Sequence, residues 1–302
     1  MRRVFTIILN YNNFADSREC IESLNKILLP QNYSNRIILV DNNSSDGSGR
    51  KLKNLFGDSI IYIESDDNGG YAAGNNIGIK YAKEAGAEYI CVLNNDTVIL
   101  EDFFSPCIDY IVEHNDVAFI SPAIEDYSSN KVQSTGGDIF FRRGEVTVKN
   151  SGKDKSKLPS VIESDYIGGA CMLFKADIID RLGYIPENYF LFFEETEWCW
   201  KAKELEMHNV CLSCVSIKHK GSASIDSVLG LHAYMMERNR IVFLKRNAPN
   251  LFVYYCAYLF LFLKYVKNGL FVNKDYFHYI EYMKDGRKNE VDERFPFVQI
   301  KE

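Results

Sequence analysis

The chain has 302 residues, of which 46% are hydrophobic and 25% charged, and its net charge is −6. This composition predicts a globular protein with a large core, in one large domain or one domain with an appendage. The mildly acidic balance argues against a general nucleic-acid-binding protein, which would carry a basic face. The eight cysteines are scattered, and only Cys211 and Cys214 form a CxxC pair. We therefore expect reduced thiols in a cytosolic protein rather than a zinc site.

The first third of the chain alternates apolar runs with helical patterns. Strands are expected at 4–9, 36–40, 59–63 and 89–93, and helices at 16–29, 46–56 and 71–85. Asp16 is expected to cap the first helix, and the short apolar run at 4–9 indicates a strand rather than a signal peptide. Strands that alternate with helices predict an α/β fold, with a mostly parallel central sheet flanked by helices.

The pattern changes after Asp96. Helices are expected at 101–114, 176–182, 194–207 and 226–247, and strands at 117–121 and 210–217, with a turn-rich β region at 124–148 and a polar loop at 150–160. No pattern predicts an element in the last thirty residues.

A further helix is expected after Pro249, and it contains an apolar run at 251–263. The run is too short to span a membrane, which takes about 18 or more residues. It is therefore either a buried core helix or an interfacial helix with inserted aromatic side chains, with Lys264 and Lys267 at the level of the head groups.

A polar cluster ends the strand predicted at 89–93. Asn94, Asn95 and Asp96 follow it directly, at the sheet edge where open α/β folds bind ligands. One carboxylate at that edge suits Mg²⁺ or Mn²⁺ completed by substrate phosphates. Asn and Asp are also ordinary turn residues.

Two more polar clusters follow the first and second strands. Asn10, Tyr11 and Asn12 end the first, and Asp41 and Asn43 end the second. A nucleotide base could lie there, with Asp41 accepting from the imide N–H of uracil or thymine and Tyr11 stacking on the ring. The alternative is that both clusters are Asx turns that cap the next helices.

Three segments remain as candidates for binding or catalysis. Asn68-Gly-Gly-Tyr-Ala-Ala-Gly-Asn-Asn76 lets backbone approach an anionic ligand before a helix N-terminus, but it is not a dinucleotide fingerprint. Glu194, Glu195 and Glu197 form either a solvated helix start or carboxylates whose aromatic neighbours raise the pKa towards that of a general base. His219 is a metal ligand, a phosphate contact or a structural residue.

In this order, the motifs resemble those of the inverting glycosyltransferases of family 2, and most of all the rhamnosyltransferase-like branch that builds bacterial surface polysaccharides. The resemblance covers roughly residues 3–247. It rests on six segments: Val40-Asp-Asn-Asn-Ser-Ser-Asp-Gly-Ser48, Asn68-Gly-Gly-Tyr-Ala-Ala-Gly-Asn-Asn-Ile-Gly78, Leu93-Asn-Asn-Asp-Thr97, Gly168-Gly-Ala-Cys-Met-Leu173, Phe190-Leu-Phe-Phe-Glu-Glu-Thr-Glu-Trp198 and His219-Lys-Gly-Ser-Ala-Ser224.

The resemblance implies a GT-A fold and a role for individual residues. Residues 1–97 would bind the nucleotide, 98–247 would form the acceptor half, and 248–302 would be a helical, aromatic extension that is a candidate for membrane association. Asp96 and His219 would hold Mn²⁺ or Mg²⁺ against the donor diphosphate, and Glu195, or alternatively Glu194, would be the catalytic base. The implied donor contacts are Asn10, Tyr11, Asn12, Asp41, Asn43, Asn68, Gly70, Asn75, Asn94, Asn95 and Arg238. The implied acceptor contacts are Gly168, Gly169 and Trp198.

The implied activity is transfer of one sugar from dTDP-rhamnose, or a UDP-hexose, to a lipid-linked saccharide acceptor in bacterial capsule, O-antigen or cell-wall synthesis. The enzyme would lie in the cytoplasm or on the inner face of the plasma membrane. The Gln-x-x-Arg-Trp motif of processive synthases is absent, so one sugar per acceptor is expected. The alternatives are an inactive nucleotide-sugar-binding protein and a sugar-1-phosphate nucleotidylyltransferase, but the latter needs a basic, glycine-rich loop after the first strand.

Overall fold

The computed structural model describes residues 2–221 and 229–300. The strands in these ranges are β1 (Arg2–Asn10), β2 (Tyr33–Asp41), β3 (Ile60–Glu64), β4 (Tyr89–Asn94), β5 (Thr97–Val98), β6 (Val117–Asp126), β7 (Val132–Ser134), β8 (Gly137–Phe140), β9 (Glu145–Val148), β10 (Val161–Ser164), β11 (Cys171–Lys175) and β12 (His208–His219). The helices are α1 (Phe14–Asn25), α2 (Ser48–Phe56), α3 (Gly70–Glu84), α4 (Phe104–Glu113), α5 (Ile178–Leu182), α6 (Glu194–Glu204), α7 (Leu231–Asn247), α8 (Leu251–Phe271) and α9 (Tyr276–Lys288).

The central sheet has the strand order β10-β12-β6-β11-β4-β1-β2-β3. Its β4-β1-β2-β3 half is parallel throughout, which confirms the predicted α/β fold. β11 pairs antiparallel with both β4 and β6, so the other half is mixed. In the parallel half, Asn10 lies beside Asp41 and Leu9 beside Asn94. The polar clusters that end these strands therefore meet at one edge of the sheet.

The core lies on both faces of the sheet because β1, β2 and β4 are apolar at successive positions. Alternate residues of a strand point to opposite faces, so Ile8 and Leu39 pack with α1 and α4, whereas Ile7 and Val40 pack with α3 and α6. Six of the eight cysteines are buried, and all eight are free thiols.

Two expectations at helix starts need correction. Asn13, not Asp16, caps α1, because the Asn13 side chain accepts a hydrogen bond from the backbone N–H of Asp16 at 3.2 Å. The predicted helix at 226–247 corresponds to α7, which begins at Leu231, and positions 226–228 lie outside the described residues.

The C-terminal part adds α8 and α9 to α7. One face of α8 is buried through Tyr254, Ala257, Leu261 and Tyr265, as expected of a core helix. Its opposite face is exposed and apolar. Within residues 2–221 and 229–300, no helix has the length and apolar character needed to cross a membrane.

Candidate active site

A cavity of about 370 Å³ lies at the carboxyl ends of β1, β2 and β4. It brings together eight of the residues that the sequence predicts for donor or metal binding. These are Tyr11, Asn12, Asn68, Gly70, Asn75, Asn94, Asn95 and Asp96. The remaining lining side chains are Leu9, Asn42, Tyr71, Leu93, Phe190, Leu191, Leu231 and Phe297. The cavity thus has a polar, amide-rich wall and an apolar wall.

Asn42 lines the cavity where Asn43 was expected. Asn42 is buried, and its Nδ2 donates to Asn68 Oδ1 at 2.7 Å. Asn43 is exposed in a left-handed conformation with φ 59°, and its Nδ2 donates to the backbone oxygen of Asp66 at 3.1 Å. The prediction of Asn43 as a donor contact is therefore corrected to Asn42. Side chains alternate between the two faces of β2, and extending this alternation one residue beyond Asp41 would have favoured Asn42. The prediction of Asn43 did not use this signal.

Asn10 and Asp41 are the last residues of β1 and β2, and their side chains are hydrogen-bonded to each other. Asn10 Nδ2 donates to Asp41 Oδ1 at 2.8 Å, and Asn10 Oδ1 accepts from Ser17 Oγ at 2.8 Å. A Cβ on Gly49 would lie 2.2 Å from Asp41 Cγ, so only glycine fits there. The contacts make Asn10 a support for Asp41 rather than a wall of the cavity. Base reading by Asp41 stays a prediction.

Asp96 and His219 face each other next to the cavity. Asp96 Oδ1 lies 3.2 Å from His219 Nε2, and both atoms are buried without a hydrogen-bond partner among the described residues. His219 Nδ1 lies 2.6 Å from Gln133 Oε1. Because an amide oxygen only accepts, Nδ1 is the donor of this hydrogen bond, and Nε2 has a lone pair for a cation when the imidazole is neutral. Two facing acceptors are stabilised by a cation or by an added proton.

These two side chains fit a divalent cation. Ligands about 2.1 Å from a cation and at right angles to each other are about 3.0 Å apart, close to the observed separation. Gln133 orients the imidazole, as the outer partners of metal-binding histidines do. No group of three His, Cys, Asp or Glu side chains suited to a metal occurs in the described part of the chain. Substrate phosphates and water would therefore have to supply the other ligands.

The Glu194–Glu195 pair begins α6, beside Tyr71 of the cavity wall. Burial raises the pKa of Glu195 to about 7. Burial and the neighbouring Glu195 raise the pKa of Glu194 well above its usual value, and Glu194 Oε2 has no partner in the described structure. Burial and the charges of Glu195 and Glu194 also raise the pKa of Tyr71. A carboxyl that titrates near neutral pH suits general base catalysis, which favours Glu195 over Glu194.

The segment before this pair, the 189–193 loop, has a strained backbone. Phe190, Phe192 and Phe193 have φ values of 67°, 67° and 75°. Each non-glycine residue in this region costs about 1–3 kcal/mol and persists only where its surroundings hold it. The backbone N–H of Tyr71 donates to Phe190 O at 2.8 Å. This approach requires Gly70, because a Cβ there would lie 2.2 Å from Phe190 O.

Two predicted site residues are structural instead. Arg238 is fully buried, and its Nη2 donates to Asn289 Oδ1 at 2.6 Å, so it does not clamp a diphosphate in this arrangement. Trp198 is fully buried against Phe119, with ring centroids 4.4 Å apart, so it does not face an acceptor. Both predictions are wrong, since a sequence motif does not show which way a side chain points.

Gly168 and Gly169 are half-buried beside the site. Tyr71 Oη donates to Gly169 O at 2.7 Å, which ties this segment to the cavity wall. A Cβ on Gly168 would meet no atom within 4 Å. Their role in acceptor binding stays a prediction. Of the motif that follows β12, residues 222–224 lie outside the described residues.

The sequence model of the family described as glycosyl transferase family 2 matches residues 6–183. Since this is more than half of the chain, the protein belongs to glycosyltransferase family 2. It is 28% identical over 201 residues to the low-salt glycan biosynthesis hexosyltransferase Agl10 of Haloferax volcanii, and the match covers 65% of this chain and 60% of Agl10. It is 23% identical over 205 residues to the dTDP-rhamnosyl transferase RfbF of Shigella flexneri, covering 65% of this chain and 62% of RfbF. The chain thus spans about three fifths of the length of these relatives.

A solved structure supports the same fold. The crystal structure of GalNAc-T7 with UDP, GalNAc and Mn²⁺ superposes with a TM-score of 0.60 at 15% identity, over 78% of this chain and 48% of that one. At this identity the likeness concerns the fold alone, and it confirms the GT-A architecture.

Proposed function

We propose that this chain is an inverting glycosyltransferase that moves a single sugar from a nucleoside-diphosphate sugar to a saccharide acceptor. The observation that carries the proposal is that two carboxylate sites of different chemistry occur near one cavity. Asp96, which lines the cavity, faces His219 at 3.2 Å. Glu195 does not line the cavity itself, but it interacts electrostatically with the lining residue Tyr71, and burial raises the pKa of Glu195 to about 7. The Asp96–His219 pair suits a bound diphosphate, and Glu195 suits removal of a proton.

The chemistry follows from these positions. Glu195 would take the proton of the acceptor hydroxyl as its oxygen bonds to the anomeric carbon. The bond from that carbon to the diphosphate oxygen breaks on the opposite face, so configuration inverts. The transition state is oxocarbenium-like, as in glycoside hydrolysis. A base with a pKa near 7 is largely ionised at slightly alkaline pH and still accepts a proton readily.

Asp96 and His219 are the residues that would hold a divalent cation. A bound cation would neutralise charge that develops on the departing diphosphate. We favour Mn²⁺ over Mg²⁺, because an imidazole nitrogen is a softer ligand than the oxygens that Mg²⁺ prefers. The Mn²⁺ in the GalNAc-T7 structure supports this choice.

For the donor we favour dTDP-rhamnose and retain UDP-hexoses as the second choice. RfbF is named a dTDP-rhamnosyl transferase and Agl10 a hexosyltransferase, and GalNAc-T7 was solved with UDP. Residues 1–97 would bind the donor and 98–247 the acceptor, a lipid-linked saccharide in bacterial surface polysaccharide synthesis.

We also propose that the exposed face of α8 contacts the inner surface of the plasma membrane. Phe252, Leu259 and Leu263 are 77%, 55% and 56% exposed on one helix face. The helix contains no acidic residue, and Lys267 is exposed, whereas Lys264 is half-buried and pairs with Glu145 at 3.6 Å. Apolar insertion with flanking lysines is the pattern of interfacial helices. A cytoplasmic enzyme placed in this way would meet a lipid-linked acceptor at the bilayer.

A thermal-shift panel of dTDP- and UDP-sugars, with and without Mn²⁺, tests the donor. Ligands that bind only the native state raise Tm in proportion to the logarithm of concentration over Kd. We expect a Mn²⁺-dependent rise with one sugar nucleotide, and slow hydrolysis of that donor to nucleoside diphosphate. Release of pyrophosphate would instead indicate a nucleotidylyltransferase, and binding without turnover would indicate an inactive binding protein.

A further inference from the structure

We infer that Asn239 is a positioning residue, which holds the strained 189–193 loop and thereby places Glu195 for proton removal. The inference rests on the proposed function for the role of Glu195. Asn239 is fully buried, and its Nδ2 shares its two hydrogens among three carbonyl oxygens, those of Tyr189 at 2.9 Å, Leu191 at 2.6 Å and Phe192 at 3.1 Å. A buried amide with this set of acceptors determines the path of the loop.

The three acceptors are interleaved with the strained residues. Phe190 and Phe192 have positive φ values, and so does Phe193, directly before Glu194. Strained backbone persists only where several contacts hold it. Asn239 provides these contacts from one side, and the Tyr71 N–H holds Phe190 O from the other. Without Asn239, we expect the loop to relax and the first turn of α6 to shift.

Arg238 fixes Asn239 in turn. Arg238 Nη1 donates to Asn239 Oδ1 at 2.7 Å, which orients the amide with Nδ2 towards the loop. The same guanidinium bonds to the backbone oxygens of Asn188 at 3.3 Å and Glu290 at 3.2 Å. Arg238 therefore links the segment after α9 to the region of the 189–193 loop, which directly precedes Glu194 and Glu195. These contacts give Arg238 and Asn239 of α7 a structural role, although neither residue lines the cavity.

The position of Glu195 determines its environment. The titratable groups that face it are Glu194 on α6, Tyr71 on α3, Tyr166 and Cys199. Burial among them raises the pKa of Glu195 to about 7. A relaxed loop admits water, and solvation lowers a raised carboxyl pKa towards its ordinary value. The pKa of Glu195 therefore reports on the loop, whereas an ordinary loss of stability would leave it unchanged.

The test compares the full-length wild type with Asn239→Ala. The pKa of Glu195 is measured by ¹³C NMR of labelled glutamate carboxyls, with the Glu195 signal identified by its loss in Glu195→Gln. We expect the pKa of Glu195 to fall in Asn239→Ala, and kcat to drop about 10–100-fold while KM for the donor changes less than about twofold. The acidic limb of the kcat–pH profile should move to lower pH by the same amount.

Ser213→Ala is the control. Ser213 is also buried, and its Oγ donates to a backbone oxygen, that of Pro159 at 2.6 Å. This control should lower Tm without moving the pKa or kcat. Asn239→Ser, which keeps one donor in a smaller side chain, covers a failure of Asn239→Ala to fold. An unchanged Glu195 pKa in the folded Asn239 variants would overturn the inference. Wild type without transferase activity would overturn the proposed function alone, because the NMR titration does not need turnover.

Discussion

Asp96 Oδ1 and His219 Nε2 lie 3.2 Å apart, both buried and without a hydrogen-bond partner among the described residues, although Asp96 belongs to the third of the six motif segments and His219 to the last. Asp96 follows β4, and His219 ends β12, where it pairs with Thr97 of β5. The antiparallel pairing of β12 with β5 brings these side chains together. Gln133 then orients the imidazole from the adjacent β7. We therefore expect nucleoside diphosphate binding to depend on a cation, as proposed above.

The first prediction concerns this dependence. Asp96→Asn keeps the size of the side chain but removes its charge, so it should lower the Mn²⁺-dependent affinity for UDP or dTDP at least about tenfold, or about 1.4 kcal/mol. Gln133→Leu should lower it by about 10–100-fold, as is typical for an outer partner of a metal-binding histidine. Isothermal titration calorimetry with and without Mn²⁺ measures both effects. The exposed Asp58→Asn serves as the control, and an unaltered affinity in Asp96→Asn would exclude the proposed cation site.

A second prediction concerns the identity of the base. Glu195→Gln should bind donor as the wild type does and lose transfer by about 10²–10⁴-fold, the usual contribution of a general base. Initial-rate kinetics and calorimetry separate the two effects. Glu194→Gln should lose less, because burial and the neighbouring Glu195 raise the pKa of Glu194 well above its usual value and so disfavour the ionised form that a base needs. The reverse order of losses would move the base to Glu194.

A third prediction is that Glu195→Gln, which should lose activity, gains stability at alkaline pH. Because folding raises the pKa of Glu195 to about 7, the folded state binds this proton more tightly than the unfolded state. Stability from this group is full below the unfolded pKa near 4.5 and is lost as pH rises through about 7. Glu195→Gln should therefore be more stable than wild type at pH 8, by about 1–3 kcal/mol, and equal to it near pH 4. Thermal melts across pH measure this difference, and a variant less stable than wild type at pH 8 would contradict it.

A fourth prediction concerns acid unfolding. Burial would raise the pKa of Glu197, but hydrogen bonds from Arg246 and Tyr189 and the charge of Lys201 outweigh it and lower this pKa to about 2. The stability that Glu197 contributes is full above the unfolded pKa near 4.5 and is lost as pH falls towards 2. Glu197→Gln should cost about 3 kcal/mol at pH 7, and its denaturant midpoint should approach that of wild type as pH falls to about 2. A constant difference across pH would mean that the charge is irrelevant.

A fifth prediction concerns the exposed face of α8. Replacing Phe252, Leu259 and Leu263 by serine should strongly weaken co-sedimentation with anionic liposomes, because it removes three large apolar side chains from the centre of the exposed face. Serine at Leu28, Leu55 and Leu100, which are 92%, 52% and 67% exposed elsewhere, is the matched control and should retain binding. Sedimentation equilibrium of the wild type checks the competing explanation. A dimer that the α8 substitutions dissociate, without liposome binding by the wild type, would assign this face to a second copy.

Local pattern predicted the parallel half of the sheet and the strand ends that line the cavity. Apolar runs ending in Asn and Asp identify β1, β2 and β4, and parallel strands place their carboxyl ends at one edge. The same local reasoning chose Asn43 over Asn42, because it did not extend the side-chain alternation of β2 beyond Asp41. The family resemblance placed Arg238 among the donor contacts, whereas this guanidinium bonds to backbone oxygens of the protein itself.

The sequence by itself thus determined the elements of the first third of the chain, the fold class and the polar clusters, because helix and strand periodicity and turn residues act over a few positions. Only the tertiary structure decided which clusters meet. The Asp96–His219 pair depends on the pairing of β12 with β5, and Phe297 reaches the cavity only because the chain folds back after α9. Burial, which raises the pKa of Glu195, likewise depends on packing between α3 and α6. Contacts between distant segments depend on the whole core, and no local pattern encodes them.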